Sequence, residues 1–221
     1  MILRSTADEA SSGDREEVSH LSRMRLRSQY IRAVIENSLD RNAESIDQAT
    51  ITVERWLRER AVIRIIGYGR ARLAAGIPGN RLAHAGGVVS TLGDITPLAS
   101  TTQGGGLIAA SSSGLTPQVL EVLATCRRRA PHVTILGLAI DEASEFQSLC
   151  DVFIGISKSS IEQTPDLLYF GDAVEYAISE ILDSVVAAAL ERAGLTEYEL
   201  RHGHEDLGGT GPYTLPEEGR W

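Results

Sequence analysis

Leu107-Ile108-Ala109-Ala110-Ser111-Ser112-Ser113-Gly114-Leu115-Thr116-Pro117 carries an apolar run into a hydroxyl-rich loop and then into a helix. The first four residues have the length and composition of a buried strand. Proline just inside a helix start loses no needed hydrogen bond, so a helix is expected from Thr116 to Arg129. Free N–H groups at a helix N-terminus, joined by hydroxyls, hold an anion through hydrogen bonds and the helix dipole. The plainer alternative is that these serines and the threonine merely cap the helix. Three serines, a glycine and a threonine at one strand's carboxyl end favour an anion site.

The same grammar extends on both sides. Val62-Ile63-Arg64-Ile65-Ile66 is a β-branched run ending in Gly67-Tyr68-Gly69-Arg70-Ala71-Arg72. A helix-compatible stretch follows, interrupted by Gly76, Pro78 and Gly79. Further strands are expected at Val88–Leu92, Val133–Ala139 and Val152–Ile156, with a short helix near Glu142–Leu149. A long apolar-periodic helix runs from about Leu168 to Arg192, and a last short one starts at Thr196. Two helices come first: one from about Arg23, with Ile31, Val34, Ile35 and Leu39 in register, and one over roughly Ser45–Arg60. Strands alternating with helices predict an α/β fold, a parallel sheet covered on both faces. Such sheets place ligands at the carboxyl ends of their strands. Chemistry is therefore sought in the loops after Ile66, Ala110, Ala139 and Ile156.

The loop after Ile66 lacks the third glycine of a dinucleotide fingerprint and the Gly-Lys-Ser/Thr of a Walker loop. What remains is a tight turn with backbone N–H groups and Arg70 beside it, suited to an anion, or a turn that glycine simply makes possible. In the long helix, Glu175 sits among Ala173, Val174, Ala177 and Ile178. A carboxylate beside an apolar face can serve as a base, although an acid on a helix is more often solvated. His202 and His204 lack a second ligand cluster for a metal; one of them can carry a proton, or both can be surface residues. His84 is a further candidate, read more simply as a helix-end histidine.

Composition narrows the classes. The chain has 221 residues, 43% hydrophobic and 23% charged, enough for one packed domain. No apolar run reaches the roughly 18–20 residues of a membrane span. No secretory h-region opens the chain, and Cys126 and Cys150 form neither a metal motif nor a disulfide framework, so a cytoplasmic protein is expected. The net charge is -9. Residues 1–22 and 205–221 each carry -3, and Arg23, Arg25, Arg27 and Arg127–Arg129 read as solvated helix faces. Nucleic acid is not an expected partner.

Together these pieces resemble the sugar isomerase (SIS) domain, and within that superfamily the 6-phospho-3-hexuloisomerases. The likeness covers about residues 25–207. It rests on Gly67-Tyr68-Gly69-Arg70, Arg81-Leu82-Ala83-His84, Asp94-Ile95-Thr96-Pro97, Ser111–Thr116, Gly171–Glu175 and the Leu195–Leu207 ending with His204. It implies a three-layer, doubly wound five-stranded parallel sheet with two N-terminal helices, assembled as a homotetramer with active sites shared between subunits. Residues 1–22 are then an acidic extension, 23–207 the isomerase domain and 208–221 a tail. By position, Ser111, Ser113 and Thr116 match the residues that hold the substrate phosphate, with Ser112, Gly69 and Arg70 beside them. Glu175 matches the carboxylate base, His204 a histidine that reaches a neighbouring subunit's site, and His84 a recurrent histidine near the substrate. The implied partner is a small sugar phosphate, and the implied reaction, a carbonyl shift through a cis-enediol, needs no cofactor.

The chain also departs from that pattern. Ala71 replaces a serine in the first loop, Leu115 a glutamate in the second, and Arg72 a small residue. The segment Ser157–Pro165 lacks a Gly/Ala-rich run. Gly171-Asp172-Ala173 is similar to the arabinose 5-phosphate isomerase branch, which lacks a counterpart of Glu175. These differences point to a phosphosugar isomerase more firmly than to one sugar. An aldose–ketose isomerase of a C5, C7 or C8 sugar phosphate and a sugar-phosphate-sensing module are the other expectations.

Overall fold

The computed structural model describes residues 20–91, 105–157 and 172–195. In chain order these form α1 (His20–Arg41), α2 (Ala43–Arg58), β1 (Val62–Gly67), α3 (Gly69–His84), β2 (Val88–Thr91) and β3 (Gly106–Ala110), followed by α4 (Pro117–Arg129), β4 (Thr134–Ile140), α5 (Ser144–Ser148), β5 (Val152–Ile156) and α6 (Asp172–Ala193). The five strands make one sheet in the order β2-β1-β3-β4-β5, and every pairing is parallel.

The strand sequences explain the layers. Side chains alternate between faces, so a strand buried on both sides must be apolar throughout. In β3, Ile108 and Ala110 face one layer while Leu107 and Ala109 face the other. The first layer holds α1, α2, α3 and α6, the last supplying Ala177, Ile178, Ile181, Leu182, Val185 and Val186 to the core. The second holds α4 and α5 through Val119, Leu123 and Phe146. Gly106 leaves room for Trp56 of α2, whose ring lies where a Cβ would be.

Two readings of the sequence need correction. The expected interruption at Gly76, Pro78 and Gly79 does not occur: α3 runs unbroken to His84 with Pro78 inside it. Pro78 and Gly79 are buried, and a Cβ on Gly79 would strike Ile65 Cδ1, so small residues let the helix lie close to the sheet. The proline's cost is local, a missing N–H partner for one carbonyl. Helix α1 begins at His20, inside the segment read as an extension. The long helix is described from Asp172 on, and the strand end at Leu92, the helix from Thr196 and the tail lie outside the described residues.

The free edge of β5 is closed by the α1–α2 junction. Asn42, between the two helices, donates through Nδ2 to Gly155 O at 2.8 Å and accepts from Gly155 N at 2.9 Å through Oδ1. Ser38 Oγ donates to Val34 O at 2.6 Å and accepts from Ser157 N at 3.0 Å. Buried backbone polar groups need such partners, and here side chains supply what a sixth strand would.

Candidate active site

The site follows from the strand order. The chain leaves β1 into α3 on one face of the sheet and leaves β3 into α4 on the other, although β1 and β3 are neighbours. Their carboxyl ends therefore flank a crevice, the place where ligands bind in open α/β sheets. Gly67 pairs with Ala110, so the first loop and the hydroxyl loop start side by side. Glycine suits position 67, because a Cβ there would lie 3.0 Å from the Arg72 backbone and 3.1 Å from Ala110 O and would press the two loops apart.

The hydroxyl loop is folded on itself. Ser111 is buried; its N–H bonds Leu138 O at 3.0 Å, and its Oγ lies 3.0 Å from Thr116 Oγ1 while accepting from Gly114 N at 3.1 Å. Ser113 Oγ accepts from Leu115 N at 3.2 Å. Gly114 adopts φ +68, a left-handed turn that glycine makes without strain, with Ala143 against its missing Cβ. Thr116 occupies the N-cap of α4 in an extended conformation but makes no side-chain capping bond. Its hydroxyl instead joins Ser111, which separates this loop from an ordinary capped turn.

Across the crevice stands Glu175, in the first turn of α6. Its backbone neighbours Ala173, Val174, Ala177 and Ile178 are buried in the core, which fixes the helix that carries it. Ser112 Oγ donates to Glu175 Oε1 at 2.7 Å, and Arg70 Nη2 lies 3.6 Å from the same oxygen. The Glu175 side chain is only 14% exposed, whereas Arg70 is 52% exposed and reaches in from solvent. Glu175 Oε2 is buried and has no hydrogen-bond partner among the described residues. Gly69, with φ +56, turns the chain so that Arg70 enters α3. The first turns of α3, α4 and α6 thus meet at one end of the sheet, and their dipoles favour negative charge there.

Ser111, Ser112, Ser113, Thr116, Gly69, Arg70 and Glu175 are therefore brought together. His84 is not: it ends α3, roughly 20 Å along the helix from Arg70 at 1.5 Å per residue. His204, His202 and Asp94–Pro97 lie outside the described residues. The Ser112 bond and the Arg70 ion pair to Glu175 had no signature in the sequence, since 63 residues separate Ser112 from its partner. Burial pushes the Cys150 thiol up to about 12 and raises that of Cys126, which leaves both poor nucleophiles. Among the described residues no group of three or more His, Cys, Asp or Glu is placed to hold a metal ion, and none of the helices is long and apolar enough to cross a membrane. The arginines read as solvated faces are partly engaged: Arg127 pairs with Asp151 at 3.1 Å and Arg27 lies over the Tyr176 ring at 5.6 Å.

No protein-family model and no curated protein matches the sequence. Solved structures do. The chain is similar to Methanococcus jannaschii MJ1247, whose structure infers a molecular function of 3-hexulose-6-phosphate isomerase, at 22% identity and a TM-score of 0.64, over 82% of this chain and 96% of that one. It is similar to the Vibrio vulnificus NanR protein complexed with ManNAc-6P, at 19% identity and a TM-score of 0.63, over 84% of this chain and 67% of that one. It is similar to the phosphoheptose isomerase GmhA of Neisseria gonorrhoeae, at 12% identity and a TM-score of 0.64, over 78% of this chain and 100% of that one. At these identities the likeness is one of fold, and the fold of this chain is that of the sugar isomerase (SIS) domain.

Proposed function

We propose that the chain is a phosphosugar isomerase of the hexuloisomerase type, moving a carbonyl between adjacent carbons of a sugar phosphate. The observation that carries this reading is Glu175, held by one oxygen beside the hydroxyl loop with its other oxygen buried and unpartnered among the described residues. A carboxylate that is little exposed and bonded through one oxygen only is suited to serve as a base. On this reading Ser111, Ser113 and Thr116 hold the phosphate, and binding energy from that remote group positions the reacting carbons. Glu175 removes the proton beside the carbonyl; the C–H pair forms the enediol double bond, and the carbonyl oxygen takes up a proton. Return of that proton to the former carbonyl carbon, while the hydroxyl on the other carbon gives up its proton and becomes the new carbonyl, completes the shift. Arg70 offsets the charge that develops on oxygen. His204 serves as the oxygen-side proton carrier, and His84, remote from its own crevice, reaches substrate only in a neighbouring subunit's site. The family resemblance supports an assembly of this kind, a homotetramer with sites shared between subunits.

Similarity to NanR with ManNAc-6P supports a second reading, a module that binds a sugar phosphate without converting it. Within the enzymes, a C5, C7 or C8 sugar phosphate is the alternative substrate. Incubation in D₂O with ketose and aldose phosphates from C5 to C8, followed by NMR, tests all three. Isomer formation with deuterium beside the carbonyl is the expected result and names the sugar. Binding without exchange would support the sensor. Glu175→Gln is expected to bind phosphosugar and lose turnover by about 10²–10⁴-fold; near-normal turnover would remove Glu175 from the chemistry.

A further inference from the structure

Ser112 belongs to the hydroxyl loop, yet its hydrogen bonding differs from that of its neighbours. Ser111 and Ser113 accept backbone N–H groups of their own loop, from Gly114 and Leu115, and Ser111 also shares a hydroxyl–hydroxyl bond of 3.0 Å with Thr116, in which either can be the donor. The Ser112 hydroxyl donates its proton to Glu175 Oε1 at 2.7 Å. A serine has a single O–H, and both a carboxylate and a phosphate are acceptors only. Ser112 therefore cannot donate to the phosphate while it holds Glu175. Arg70 approaches the same carboxylate oxygen, at 3.6 Å. Both donors thus gather on Oε1, and Oε2 is left buried with no partner among the described residues.

We propose that Ser112 is a positioning residue that holds the Glu175 carboxylate through Oε1 for the carbon-to-carbon proton transfer. This rests on the reading of Glu175 as the base. In the forward half, the carboxylate bonds the proton leaving carbon, the C–H pair becomes the enediol double bond, and the carbonyl π pair moves to oxygen, which is protonated. In the second half, the carboxyl gives that proton to the adjacent carbon, while the neighbouring hydroxyl loses its proton and becomes the new carbonyl. Throughout, the Ser112 bond keeps the carboxyl plane from turning between the two transfers. Ser112 is then separated from Ser111 and Ser113: it sets the rate of the chemical step and leaves phosphate affinity to them.

The test compares Ser112→Ala, Ser112→Thr and Ser111→Ala in full-length protein, with the sugar phosphate found above for kinetics and inorganic phosphate as the probe in calorimetry. Ser112→Ala is expected to lower kcat about 10- to 100-fold, the range for losing a hydrogen bond to a charged group, with KM and phosphate affinity within about twofold. Ser112→Thr keeps the hydroxyl and is expected to recover most of kcat. Ser111→Ala is expected to do the opposite, raising KM and weakening phosphate. A Ser112→Ala protein with unchanged kcat overturns the proposal, as does one whose main defect is in KM and phosphate binding. Glu175→Gln separates the two levels of the argument. If it is inactive while Ser112→Ala turns over normally, only the role of Ser112 fails. If it turns over normally, the base assignment fails and this proposal with it.

Discussion

Gly114 shows how tightly the candidate site is built at the level of single residues. Its φ of +68 costs an L-residue about 1–2 kcal/mol, and a Cβ would also press on Ala143 of the α5 layer. Gly114→Ala is therefore expected to lower stability by about 2–4 kcal/mol, the left-handed strain plus overpacking. A denaturant midpoint equal to that of wild type would show that the loop can re-form elsewhere. The cysteines give a second check. With its thiol pushed up to about 12 by burial, Cys150 holds very little thiolate at neutral pH. Native protein is expected to react slowly with a thiol reagent and unfolded protein at the rate of an ordinary cysteine. A fast native reaction would mean that the α4–β5 region opens readily. That Ser111, Ser113, Thr116, Arg70 and Glu175 could meet was legible in the sequence, because hydroxyls, a cation and an acid stood at strand ends and helix starts. The hand-off of Ser112 to Glu175 was not, because a hydrogen bond between distant residues leaves no periodicity.

Elements were legible where composition and period agree. The β-branched and apolar runs of β1, β3, β4 and β5 need burial on both faces, and a parallel sheet is the arrangement that gives it. The continuity of α3 was hidden because Gly76, Pro78 and Gly79 read as breakers in isolation. Only the packed sheet shows that small residues are wanted there. Nor did the sequence show how α2 is strapped to α6. Glu54 accepts from Arg192 Nε at 2.7 Å and from Arg58 Nε at 3.0 Å. The bond from Arg192, then that from Arg58, holds the Glu54 carboxyl below its ordinary value. A depressed carboxyl stabilises the fold above its unfolded pKa, and that increment is lost as pH falls through the folded one. Glu54→Gln is expected to flatten the acid side of the stability curve, below the ordinary carboxylate range. Parallel wild-type and variant curves under acid titration would show that the strap contributes nothing.

At the scale of the whole molecule, the core and the crevice occupy different places. Trp56 packs at the start of β3, while the hydroxyls, Arg70 and Glu175 gather at the other end of the same strands. On the proposed reading, a complete site also needs His84 and His204 from other subunits. Glu175→Gln and His204→Asn are each expected to be inactive alone, and mixed oligomers of the two to regain part of the activity. No regain in verified mixed oligomers would count against sharing. The sheet itself ends by design at β5. Asn42 presents an amide to Gly155 in the pattern a neighbouring peptide unit would use, so the backbone there is already read and answered by the chain's own side chain. A growing cross-β template needs an unanswered edge. Replacing that one amide would leave the Gly155 N–H and C=O without the partners they have now, two backbone groups of the kind that edge-to-edge pairing uses.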